Sequence, residues 1–107
     1  MQNITYERTV GGYLVRFSAG DPPGLRLVGT ATIFEPDGRV ARSFATVLEA
    51  HVPEPHDELA AKALAEEAFT IAAKILSSRE PPAFRYVFDL TTDGKLALNH
   101  IIRGASA

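Results

Sequence analysis

Residues 57–79 read DELAAKALAEEAFTIAAKILSSR, and the fold follows from how this stretch is read. At 100° per residue, Ala60, Ala61, Leu64, Ala65, Ala68, Ile71, Ala72, Ile75 and Leu76 gather on one broad side. Lys62, Glu66, Glu67, Thr70, Lys74 and Ser77 gather on the other. That pattern predicts one long amphipathic helix. Asp57 is placed to cap its start, with Glu58 near the positive end of the dipole and Arg79 near the negative end. Pro81-Pro82 stops it, because proline lacks the amide donor and restricts the residue before it.

Outward from the helix, Pro and Gly cut the chain into units at Gly20-Asp21-Pro22-Pro23-Gly24 and at Val52-Pro53-Glu54-Pro55. Ile4 to Val10 and Tyr13 to Ser18 flank Gly11-Gly12, a two-residue loop that accepts the positive φ of a tight hairpin turn. This register pairs Val10 with Tyr13 and Arg8 with Val15, and sets Glu7 opposite Arg16 as an ion pair. One face then carries Ile4, Tyr6, Val10, Tyr13, Val15 and Phe17, with Arg8 its charged member.

Leu25 to Glu35 and Arg39 to Ala50 form a second hairpin around Pro36-Asp37-Gly38. Continued without interruption, its register joins Leu25, Leu27, Gly29, Ala31 and Ile33 to Ala41, Ser43, Ala45 and Val47. This small-residue face suits the Ala-rich side of the helix. The reverse face collects Val28, Thr30, Thr32 and Phe34 with Val40, Arg42, Phe44, Thr46 and Leu48, and has no assigned cover. Phe84 to Thr91 and Lys95 to Arg103 make the third hairpin, around Thr92-Asp93-Gly94. Its regular register sets Tyr86 opposite His100 and Phe84 opposite Ile102.

The expectation is one α+β domain over residues 1–107: a twisted antiparallel sheet of about six strands, order ββ-ββ-α-ββ, with one long helix on one face. Strand order does not follow from the sequence.

Composition narrows the function classes. The net charge of −2 provides no concentrated positive face for phosphate, which disfavours nucleic acid as a partner. The absence of Cys removes disulfides, thiol nucleophiles and thiolate metal sites together. The start, MQNITYERTV, lacks the apolar core of a signal peptide, and no apolar run approaches a membrane span. A soluble cytoplasmic protein without a cofactor is expected.

Two polar clusters could carry chemistry. Glu49 to Asp57 holds His51, His56 and three carboxylates before the helix. Imidazole and carboxylate bind metals, but the five-residue separation in a Pro-rich loop fits neither helical nor strand ligand spacing. His51 and His56 are therefore weak metal candidates, and a solvated loop is the simpler reading. His100 opposite Tyr86 suggests a polar pair at the floor of an apolar pocket shared with Tyr6 and Tyr13, against the simpler reading of a core-edge histidine. Arg8 and Arg42 interrupt their strand faces and could receive an anion or lie along the sheet. No catalytic residue stands out.

The leading functional expectation is a non-enzymatic binding or assembly module, most simply a homodimer, with Val28, Phe34, Val40, Arg42 and Phe44 as its interface. One helix covers one sheet face, so the apolar side chains of the other need a partner. A small-ligand pocket or enzyme near His100 and Tyr86 is the alternative, and nucleic-acid binding through the sheet is the third.

Overall fold

The computed structural model describes residues 4–20, 27–48, 57–78, 83, 85–91 and 95–103. They form β1 (Ile4–Val10), β2 (Tyr13–Gly20), β3 (Leu27–Phe34), β4 (Val40–Leu48), α1 (Asp57–Ser78), β5 (Arg85–Leu90) and β6 (Leu96–Ile102). The strands lie in one sheet in the order of the sequence, and α1 packs over β1 to β4. The three expected hairpins and the helix are present.

The sheet is mixed rather than purely antiparallel. β4 and β5 run parallel, with Val47 beside Val87 and Leu48 beside Phe88. The cause is the helix. A strand followed by a crossover helix re-enters the sheet in its original direction, and the hairpins on either side keep their antiparallel pairing.

α1 buries Ala61, Leu64, Ala65, Ala68, Phe69, Ala72 and Ile75, the three- and four-residue spacing of one helix face. Phe69 joins the expected stripe as its largest ring. Beneath it, β2 contributes Val15, Phe17 and Ala19, and β3 contributes Leu27, Ala31 and Ile33. The Phe17 ring lies over Gly29 so closely that a Cβ built there would overlap it. Gly29 is thus the absent side chain that lets Phe17 lie flat on the sheet.

β1 and β2 pair in the expected register, Val10 with Tyr13 through to Ile4 with Ala19. Gly11 and Gly12 have φ of 56° and 86°, the left-handed conformations this tight turn requires.

The second hairpin departs from expectation. Its turn closes with Gly38 N–H donating to Glu35 O at 2.8 Å and Glu35 N–H to Arg39 O at 2.8 Å. Phe34 faces Val40, but Ile33 faces Arg42, so Ala41 is the extra residue of a β-bulge. Beyond it every β4 side chain changes face. Phe44, Thr46 and Leu48 turn toward the helix beside Ala31, Gly29 and Leu27. Ser43, Ala45 and Val47 turn away. The helix therefore meets β3's small residues and β4's large ones, not two small-residue strands. The reason is volume: Gly29 and Ala31 leave space that Phe17 and Phe44 fill.

A second bulge lies in the third hairpin. Phe88 faces Leu98, yet Val87 faces His100 and Tyr86 faces Ile101, leaving Asn99 as the extra residue. Asn99 Nδ2 donates to Asp89 Oδ2 at 2.5 Å, which anchors the bulge to β5. The expected partner of Ile102, Phe84, lies outside the described residues, and Ile102 pairs with Arg85.

Candidate functional site

The two bulges redistribute the expected site residues. Tyr86 points into the helix-side core, 8% exposed, and packs edge-on against Phe44 with centroids 5.4 Å apart. Its hydroxyl accepts a hydrogen bond from the Ala83 amide at 3.0 Å. His100 sits one face away, opposite Val87, with an exposed ring whose Nδ1 lies 3.3 Å from Asn99 Oδ1. The expected Tyr86–His100 pair is therefore separated by the sheet. Regular alternation places them together, and the one inserted residue places them apart. Tyr6 and Tyr13 remain on the helix side, half-buried against the core.

The expected interface cluster also divides. Phe44 is 3% exposed within the chain and belongs to the core. Arg42 is turned to the helix side of the sheet, and its Nη1 donates to the Ala41 carbonyl at 2.9 Å. Val28 and Phe34 stay on the helix-free face, half-buried. Val40 is 60% exposed beside the hairpin turn. The rest of that face is largely hydroxylated or charged, with Thr9, Arg16, Ser18, Thr30, Thr32 and Ser43 among its residues. A strand face built this way is solvated without a partner. Val47 and Val87 form a small buried apolar pair on it.

Arg8 is fully engaged. Its guanidinium grips Glu66 through Nη2–Oε1 at 2.8 Å and Nη1–Oε2 at 3.2 Å, and lies over the Phe69 ring at 4.5 Å. The Arg8 hydrogen bond holds the Glu66 carboxyl below its ordinary range; desolvation opposes this, and the charges of Arg8 and Lys62 add to the lowering. The contact clips edge strand β1 to α1. No sequence pattern short of the fold links positions 8 and 66, although Phe69 falls four residues after Ala65 on the apolar stripe. Arg16 is likewise committed, to Glu7 at 2.6 Å and over the Phe34 ring at 5.0 Å.

Two open clefts border the Pro36–Gly38 turn. One, of about 380 Å³, is lined by Tyr13, Glu35, Val40, Arg42, Ile75 and Leu76. The other, of about 550 Å³ on the helix-free side, includes Leu14, Arg16, Phe34 and Pro36. Both are shallow. Among the described residues no group of three His, Cys, Asp or Glu side chains is placed to hold a metal. His51 and His56 lie outside the described residues. No helix among the described residues is long and apolar enough to cross a membrane.

What the fold leaves exposed lies elsewhere. Of the five large apolar side chains exposed among the described residues, Leu90, Leu98 and Ile102 belong to the third hairpin. Sequence reasoning missed them because the regular register sets Leu90, Leu98 and Ile102 on one heavily apolar, core-like face. Comparison with known proteins adds no identification: no family model, curated protein or solved structure matches this chain.

Proposed function

We propose that this chain is a non-enzymatic assembly module that acts through self-association in the cytoplasm. The observation supporting this most directly is the unequal coverage of the sheet. α1 lies over β1 to β4, while β5 and β6 extend beyond it with Leu90 44%, Leu98 51% and Ile102 39% exposed. Leu90 and Leu98 lie on the helix side and Ile102 on the other, so the uncovered hairpin presents apolar side chains on both faces, which favours an interaction surface there. The engaged states of Arg8, Arg16 and Tyr86 also favour this reading, since these three side chains are already used within the fold.

Sedimentation velocity across a concentration series tests the proposal. A dimer that dissociates on dilution is the expected result. A single monomeric species at every concentration would refute it.

A second reading draws on the cleft between the end of α1 and the Pro36–Gly38 turn. Arg42 and Tyr13 border an apolar wall of Ile75 and Leu76 there, a combination suited to a small carboxylate with an aliphatic body. Titration with short-chain carboxylates, followed by shifts of Tyr13 resonances, separates this reading from assembly.

A further inference from the structure

Among the described residues β6 ends the sheet, and its sequence is unusual for an edge strand. LALNHII contains no Lys, Arg, Asp, Glu or Pro, the residue types that block edge-to-edge pairing. The other edge strand, β1, is guarded. It carries Glu7 and Arg8, tied to Arg16 and Glu66.

Resting on the assembly reading above, we infer that β6 pairs antiparallel with β6 of a second copy, joining the two sheets across a twofold axis perpendicular to them. The order of side chains along the strand selects a second copy as the occupant. Leu98 and Ile101 lie on the helix side, opposite Phe88 and Tyr86. Ala97, His100 and Ile102 lie on the other side, opposite Asp89, Val87 and Arg85. Opposed residues in an antiparallel pair share a face. A register that sets Leu98 against Ile101 of the second copy sets Ala97 against Ile102 and Asn99 against His100. Between Ala97 and Ile102 apolar residues then meet apolar residues on both faces, the polar pair falls at the axis, and Leu96 meets Arg103 at each end of the seam. A strand without formal charge meets its own copy with no like-charge opposition. The arrangement closes at two copies, whereas β6 against β1 would propagate.

Two experiments on the full chain test the inference. Leu98 is exposed, so Leu98→Lys is expected to fold while placing a charge at the new seam. Its dimer dissociation constant, from sedimentation, rises at least about tenfold, equivalent to ~1.4 kcal/mol. The second uses the absence of native Cys. Ala97→Cys and Ile102→Cys chains are prepared separately, mixed and oxidised. In the proposed register each faces the other across the seam at ~5 Å between Cβ atoms. Each is five residues, roughly 17 Å, from its own copy. Disulfide-linked dimer therefore forms from the mixture well above the level from either variant alone.

Wild-type chain that stays monomeric overturns both this inference and the assembly reading. A dimer that Leu98→Lys leaves intact, with no excess of mixed disulfide, overturns the β6 seam and leaves assembly through another surface. Should Leu98→Lys fail to fold, the cysteine mixture decides alone.

Discussion

Gly29 carries more of this core than its size suggests. The Phe17 ring occupies the space above its Cα, and Phe17 itself has no exposed surface through which to move aside. Alanine at a strand position would by itself favour folding by roughly 0.5–1 kcal/mol through reduced backbone freedom. Overpacking a closed core costs about 1–3 kcal/mol. The second effect dominates, so Gly29→Ala lowers the urea midpoint with an unchanged m value. A midpoint at or above wild type would show that the ring is not locked over Gly29. Glu66 makes a different prediction. Its carboxyl is held low by Arg8, so its folded pKa lies below the ordinary 4.5. A depressed acid stabilises the fold above its unfolded pKa, and that contribution disappears as pH falls through the folded value. The stability gap between wild type and Glu66→Gln is therefore present at neutral pH. It narrows as pH descends past about 4.5 and closes in stronger acid. The pair is half exposed, so the gap is small and shrinks in high salt. A gap that widens toward acid would reverse the assignment.

At the scale of elements, the bulges decide which residues form the core. Deletion of Ala41 removes the extra residue and leaves Ile33 opposite Arg42, with Phe44, Thr46 and Leu48 still facing α1. Deletion of Ala45 turns Thr46 and Leu48 away from the helix. The Ala41 deletion is expected to stay folded at a cost of ~1–2 kcal/mol, whereas the Ala45 deletion strands buried Leu48 on the wrong face and unfolds the domain. Near-UV circular dichroism and denaturant midpoints distinguish the two, and equal effects would contradict the bulge. These registers mark the limit of what the sequence displays. The Gly11-Gly12 hairpin was readable in full because a two-residue turn and alternating side chains agree along its length. In the second and third hairpins alternation reads equally well on either face past the insertion. Phe44, Thr46 and Leu48 on one face and Ala45 and Val47 on the other both include strand-compatible, apolar members, and only packing against the core and α1 separates them. The same ambiguity placed Tyr86 beside His100, when Asn99 divides them.

For the molecule as a whole, the helix is too narrow for its sheet. Its described length spans β1 to β4, and the third hairpin extends past it in a body of 39 × 29 × 26 Å. If association covers that end, folding and dimerisation are linked, and the melting temperature rises with protein concentration. The proposed sedimentation series therefore has a thermal counterpart, and a concentration-independent melting curve would count against assembly. The sequence by itself determined one long helix beginning at Asp57, three hairpins and the register of the first, because periodicity, turn residues and proline stops act locally. Tertiary structure alone decided the parallel pairing of β4 with β5, the two bulges, the Arg8–Glu66 clip and the place of β6 at the end of the described sheet. Each of these depends on contacts between residues far apart in the chain. Their energies come from volume, burial and charge at sites that no local pattern specifies.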